Sequence, residues 1–262
     1  MKLALTIILA FFAVTARADS MRLAVTTSFH NSGLADVILP AIRRDTGVEI
    51  QLLVVGTGQA LKLGQSGDVD AILVHAKPAE IAWIDAGHGP YRREVMYNDF
   101  VIVGPKADPA GLANAPTIGT ALAQIGVTQS LFVSRGDDSG THKAERGLWD
   151  RFSLTTGRPW YREAGSGMGA TLNTAVGLGA YVMTDRASWL NFGNKADFEI
   201  LFSDDPLLFN QYAYLPVSRV RHPHVNSHAV QVVENWLIGP IGQAAIGDYR
   251  LNGQQLFFPN AN

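Results

Sequence analysis

The chain has 262 residues, no cysteine and a formal net charge of −2, which excludes disulfide staples and, with no basic block, the electrostatic footprint of a nucleic-acid binder. A chain of this length buries a core unaided, as one large domain or two smaller ones. Any anion site must therefore be built locally, from a few donors rather than from bulk charge.

Residues 1–18 open with Lys2, an apolar run from Leu3 to Val14 and Ala16-Arg17-Ala18, the pattern of a secretory signal peptide cleaved after Ala18. About 12 apolar residues are too few to cross a bilayer, which needs roughly 20. The mature chain is expected to begin at Asp19 and to be a soluble monomer. Without a cysteine to carry a lipid anchor, it is expected to diffuse freely in a bacterial periplasm.

From Arg22 onward the chain reads as strand–helix units. Arg22 to Ser28 predicts a short buried strand running into the hydroxyls of Thr26-Thr27-Ser28, and Leu34, Val37, Ile38 and Ile42 recur at helical spacing. Glu49 to Val55 predicts a second strand, Gly56-Thr57-Gly58 a turn, and Ala60 onward a helix. Asp70 to His75 is a third apolar strand, followed by a helix over Ala79 to Ala86 that Gly87-His88-Gly89-Pro90 stops. Val95 to Val103 is a longer extended run ended by Gly104-Pro105. Beyond it, Gln129–Ser134 and Ala180–Thr184 read as strands, and Thr141–Phe152 and Gly169–Leu178 as helices. Gln211–Val217 reads as a returning strand and Ala229–Ile238 as a closing helix. The alternation predicts an α/β fold on parallel, doubly wound sheets. A chain that leaves a lobe and returns crosses twice, so the expected organisation is a first lobe over residues 19–105, an inserted second lobe over 106–210, and a return over 211–262.

In open α/β sheets ligands collect beyond the carboxyl ends of the strands, where loops lead into helix N-termini. Four such loops carry hydroxyls or glycines: Thr26-Thr27-Ser28, Gly56-Thr57-Gly58, Ser134 to Thr141, and Gly165 to Gly169. A helix start presents free N–H groups and about half a positive charge, and a glycine lets those donors approach a ligand closely. The most informative loop is SRGDDSGTH, residues 134–142, which offers the Arg135 guanidinium, the hydroxyls of Ser139 and Thr141, and a helix N-terminus at Gly140. Any one of these hydroxyls alone would read as an ordinary helix cap; several in parallel exceed that need. Asp137 and Asp138 would repel a dianion if they faced it, so they are expected to orient Arg135 or cap the helix, unless one accepts a proton from a protonated ligand.

Three other chemistries can be weighed against this. Gly165–Ala170 fits the dinucleotide pattern G-x-G-x-x-A, with Asp185 downstream, but Trp160-Tyr161-Arg162-Glu163 before it does not read as a buried strand. A hydrolase built on Ser139 lacks a G-x-S-x-G elbow, and His142 on the same helix start is poorly placed as its base. His222, His224 and His228 sit in a loop-like HPHVNSH without a nearby carboxylate or cysteine, which reads as solvated loop rather than metal site.

The segments TTSFHNSGL (26–34), VGTGQALKLG (55–64), GDVDAILVHA (67–76), VMYNDFVIVGP (95–105), SRGDDSGTH (134–142), GMGATLN (167–173) and YVMTDRASWL (181–190) resemble the tungstate-specific substrate-binding proteins of ABC transporters, the Tup type, and the likeness runs along most of the mature chain. It implies a type II periplasmic-binding-protein fold: two hinged lobes with a ligand cleft between them. It also implies capture of tungstate, and possible capture of molybdate, for an inner-membrane permease. No cofactor, no enzymatic activity and no protein–metal ligation are expected, because tungsten is held as its oxyanion. By motif position Thr27, Ser28, Thr57, Arg135, Ser139 and Thr141 become candidate ligand contacts, with Gly140, Gly167 and Met168 completing the set. Ser166 and Gln211 depart from the family pattern. Phosphate-binding proteins share the Arg135-x-Asp137-x-Ser139-Gly140-Thr141 spacing and are the runner-up. They carry a proton acceptor after the strand equivalent to Ala71–Val74, where this chain has His75-Ala76.

Overall fold

The computed structural model describes residues 19–156 and 159–261; the secretory segment read over residues 1–18 lies outside the described residues. In chain order the elements are β1 (Ser20–Thr26), α1 (Thr27–Asn31), α2 (Leu34–Thr46), β2 (Glu49–Val55), α3 (Thr57–Ser66), β3 (Ala71–Val74), α4 (Lys77–Asp85) and β4 (Arg93–Pro105). There follow α5 (Ile118–Thr128), β5 (Phe132–Ser134), α6 (Gly140–Arg151), β6 (Tyr161–Glu163), α7 (Met168–Leu178), β7 (Val182–Asp185), α8 (Arg186–Asn191) and β8 (Phe198–Phe202). The chain closes with β9 (Phe209–Pro216), α9 (Ser227–Ile238), α10 (Pro240–Asp248), and the short strands β10 (Arg250–Leu251), β11 (Gln254–Gln255) and β12 (Phe258–Pro259).

The helix stripes follow the sequence periodicity with local exceptions. On α2 the buried face is Leu34, Ala35, Ile38 and Ile42, while Val37, at the edge of that stripe, is exposed. Two turns of the sequence reading belong to helices. Thr27 and Ser28 open α1 behind the Thr26 cap, and Thr57 is the first residue of α3 behind Gly56. Both shifts follow from the free N–H groups of a first turn, which draw the chain into helix as soon as a cap is available.

The sheet is mixed, not parallel. β1 pairs parallel with β2 and β3, but β9 lies antiparallel on β3, and β4 antiparallel on β9. β4 changes partners along its length: Arg93–Asp99 faces β9, whereas Phe100–Val103 faces β7, with β8 on its other side. The apolar residues divide accordingly. One core gathers residues such as Leu23, Ile38, Met96, Tyr214 and Trp236, and another gathers Phe100, Ile102, Phe132, Trp149 and Leu208. The C-terminal tail returns to the first of these, with Phe258 and Pro259 opposite Tyr97 and Met96. Gln211 ties that tail in, since its amide donates to the Met96 carbonyl at 2.9 Å and its Oε1 accepts from Asn260 at 2.7 Å.

Candidate functional site

Four helices, α1, α6, α7 and α8, begin around one cleft, and their caps set its walls. At the end of β1, Thr26 Oγ1 accepts the Phe29 N–H at 3.2 Å and lies 3.1 Å from Ser28 Oγ. Ser28 Oγ is in turn 3.1 Å from Nε2 of His75, the residue after β3. Opposite these, Ser139 Oγ accepts the His142 N–H at 3.2 Å and caps α6, Gly167 precedes α7, and Asp185 Oδ1 accepts the Ser188 N–H at 2.8 Å to cap α8. The cleft encloses about 690 Å³, and its lining includes Thr27, Ser28, Arg135, Gly167, Met168 and Asp185.

Five of the nine residues singled out from sequence therefore line the cavity. Thr57, Ser139, Gly140 and Thr141 are not among the lining residues, but Thr57 and Gly140 come together where α6 approaches His75. A Cβ placed on Gly140 would lie 2.8 Å from His75 Cε1, 3.2 Å from His75 Nδ1 and 3.4 Å from Thr57 Oγ1. Only glycine allows that approach. The Ser139 oxygen accepts its helix N–H, and its hydroxyl hydrogen-bonds the Asp137 carboxylate.

The polar inventory is unusual for a buried place. Thr57 Oγ1, His75 Nδ1, Arg135 Nε and Asp185 Oδ2 are all buried and have no hydrogen-bond partner among the described residues, whereas buried polar atoms are nearly always paired. The Arg135 guanidinium, with its side chain 10% exposed, pairs with Asp137 Oδ2. Burial pushes the Asp137 carboxyl up, but hydrogen bonds from Ser139 and Arg135 outweigh it and hold the group below the usual carboxylate range. Asp137 thus orients Arg135, while Asp138 turns outward to Lys143 at 2.7 Å. Burial lowers the His75 pKa to about 4, and the nearby charge of Arg135 adds to this, so the imidazole is neutral. The Asp185 carboxyl is pushed up by burial, against the opposing hydrogen bonds from Ser188 and the charge of Arg135.

Behind Arg135 lies a buried brace. Glu145 Oε1 accepts from Trp149 Nε1 at 2.9 Å and from the Tyr161 hydroxyl at 2.8 Å, and Oε2 accepts from Ser134 at 2.5 Å. It locks α6 to β5 and β6 at the base of the anion loop. Glu145→Ala is expected to lose about 3 kcal/mol of stability in a denaturant titration, because three buried donors lose their acceptor. Glu145→Gln, which keeps an acceptor oxygen, should lose about 1 kcal/mol.

The competing motifs resolve differently. A strand does precede Gly165: β6 pairs parallel with β5, although only Tyr161 of it is buried. The loop that follows opens onto the cleft through Gly167 and Met168. His142 Nδ1 accepts the Asp138 N–H at 3.1 Å, so it is not the base of Ser139. His222 and His224 face the carbonyls of Gln65 and Gly67, and His228 faces Asp19, a carboxylate that is distant in sequence. Among the described residues no three His, Asp or Glu side chains gather as a metal site. Ser166 lies 3.3 Å from Thr171 Oγ1 and donates its N–H to the Arg135 carbonyl at 3.2 Å. His75 and Asp185 were not among the sequence candidates. The available signal was positional, since each is the polar residue that ends an apolar strand at the carboxyl edge of the sheet.

Comparison with known proteins places this architecture. Residues 13–240 match the model of the PBP superfamily domain. The tungstate-binding protein TupA of Peptoclostridium acidaminophilum is 42% identical over 246 residues, 92% of this chain and 86% of that protein. Two solved structures are similar: the tungstate-binding protein TupA of Desulfovibrio alaskensis G20 and the tungstate ABC transporter protein of Geobacter sulfurreducens. The first superposes with a TM-score of 0.85 at 43% identity, covering 94% of this chain and 100% of that one. The second superposes with a TM-score of 0.80 at 42% identity, covering 88% and 98%.

Proposed function

We propose, from the premise that the chain belongs to the PBP superfamily and within it to the TupA-type tungstate-binding proteins, that it captures tungstate in the periplasm and delivers it to an ABC permease. The observation that carries this is the set of buried, unpartnered polar atoms on Thr57, His75 and Arg135: Arg135 lines the cleft, and Thr57 and His75 face Gly140 at the start of α6. A tetrahedral oxyanion supplies four acceptors to such donors, and the N-termini favour its charge. Thr27, Ser28, Thr57, Arg135, Ser139, Gly140, Thr141, Gly167 and Met168 are the proposed contacts, and His75 joins them.

The lobes are proposed to divide inside β4, where pairing changes between Asp99 and Phe100, rather than after Pro105: Phe100–Pro105 pairs with β7 and β8, and its Phe100 and Ile102 pack with the second core. A cavity of about 690 Å³ is roomier than one such anion, which occupies the space of a few waters at about 30 Å³ each. Hinge closure brings the donors into contact. Charge-assisted bonds contribute about 1.5–3 kcal/mol each, so five or six sustain a nanomolar site of about −12 kcal/mol after the closure and desolvation costs. The chain acts as a monomer, through binding and release without a covalent step.

A phosphate site is the second reading, and Asp185 is what favours it. Its Oδ2 has no partner among the described residues and could accept a proton on the ligand, from the end of β7 rather than of β3. Calorimetric titration of the chain from Asp19 onward with tungstate, molybdate, phosphate and sulfate separates the two. Nanomolar tungstate binding with phosphate weaker by more than about a thousandfold, about 4 kcal/mol, is the expected result. Tighter binding of phosphate than of tungstate would overturn it.

A further inference from the structure

Resting on the oxyanion reading above, we propose that Asp185 serves the site as a carboxylic acid, donating an O–H from Oδ2 to the bound dianion and making tungstate capture dependent on a proton. The argument begins with charge. Arg135 and Asp185 are the only charged residues lining the cavity among the described residues, and Arg135 is already paired with Asp137. An ionised Asp185 would leave a dianion facing a wall with no net positive charge.

The geometry also fixes which oxygen carries the proton. Asp185 is 1% exposed, and its Oδ1 is committed to the Ser188 N–H at 2.8 Å. Oδ2 has no partner among the described residues, Arg135 included, so Asp185 is not held as the orienting anion of Arg135. The other charged or titratable groups around it do not neutralise it. Arg186, next along the chain, donates to Asp99 Oδ1 at 2.9 Å. Tyr212, from β9, has its own pKa raised by burial and then by Asp185. Burial of an acid with one unpaired oxygen selects the protonated form, and that form is a donor rather than a repelling charge.

The test is the pH dependence of tungstate affinity in calorimetry from about pH 6 to about pH 9, a range in which free tungstate stays a bare dianion. Wild type should bind more weakly as pH rises, by up to about tenfold per pH unit where one proton is taken up with the ligand. Asp185→Asn keeps a helix cap and a donor but cannot titrate, so the affinity it retains should be flat with pH. Asp185→Ser, a second capping residue with a hydroxyl, should be flat as well, and melting curves establish that both variants fold. A flat wild-type profile, a slope retained in Asp185→Asn, or loss of binding at every pH in both folded variants would overturn the assignment. A wild type that binds no tungstate at any pH would instead overturn the oxyanion reading beneath it.

Discussion

Arg135→Ala is expected to weaken tungstate binding by more than about a hundredfold, about 3 kcal/mol or more. Arg135 is the only cation lining the cavity among the described residues, and its guanidinium is nearly buried against Asp137. Truncation removes that charge and strands the Asp137 carboxylate, whose ionisation Arg135 helps to hold. Loss of one partner from a buried charge pair costs about 2–5 kcal/mol, much of it from the charge left behind. Here the stranded charge would sit beside an incoming dianion. Ser139→Ala provides the contrast. It removes the α6 cap and one neutral donor, so stability should fall by about 1 kcal/mol and affinity by about tenfold or less. Arg135→Lys restores charge without the planar fork and should recover only part of the loss. Calorimetry on the three variants checks the ranking, and an Arg135→Ala protein binding within about threefold of wild type, under 1 kcal/mol, would remove this loop from the site.

The residues differ in how plainly they announced themselves. Thr27, Ser28 and Gly140 were legible because helix starts carry local chemistry: a hydroxyl or glycine after an apolar strand and before a periodic run. The mixed sheet was not. Strand direction is set by partners distant in sequence, and nothing local in Gln211–Val217 announces that β9 runs antiparallel between β3 and β4. β4 likewise reads as one uninterrupted apolar run, and only its pairing reveals the change of partner at Asp99 and Phe100. His75 and Asp185 were missed for a related reason. In sequence each is an ordinary polar residue ending a strand, and its role depends on burial and on neighbours such as Ser28, Tyr212 and Arg135 that the fold alone supplies. Asp137 was legible in kind but not in direction: the chain offered two adjacent acids, and the backbone, with Asp138 at φ 58°, turns one inward and the other to solvent.

Gly140→Ala should abolish high-affinity binding, with a loss of about a hundredfold or more, about 3 kcal/mol, while leaving the unliganded fold intact. The new methyl would sit 2.8 Å from His75 Cε1, and that ring has little room to yield. Its Nε2 lies 3.1 Å from Ser28 Oγ, its face packs on Tyr212 at 4.6 Å between centroids, and it is 8% exposed. The strain is relieved by α6 moving away from β3, which carries the Gly140 and Thr141 N–H groups out of reach of an anion held by Ser28 and Thr57. Hydrogen bonds to N–H donors weaken steeply once stretched past about 3.2 Å, so a small displacement is enough. Alanine is also the better helix former, by up to about 1 kcal/mol, and the unliganded variant should melt no lower than wild type. The signature is therefore in the ligand-induced shift. At tungstate a thousandfold above the wild-type Kd, binding stabilises wild type by about 4 kcal/mol, and a hundredfold weaker variant by about 1.4 kcal/mol. A double-mutant cycle with His75→Ala locates the cause: with the ring removed, adding Gly140→Ala should cost less than about fivefold in affinity, about 1 kcal/mol. If the two losses were instead additive, the walls would not meet at this point, and the tight approach of Gly140 to His75 would have no part in holding the anion.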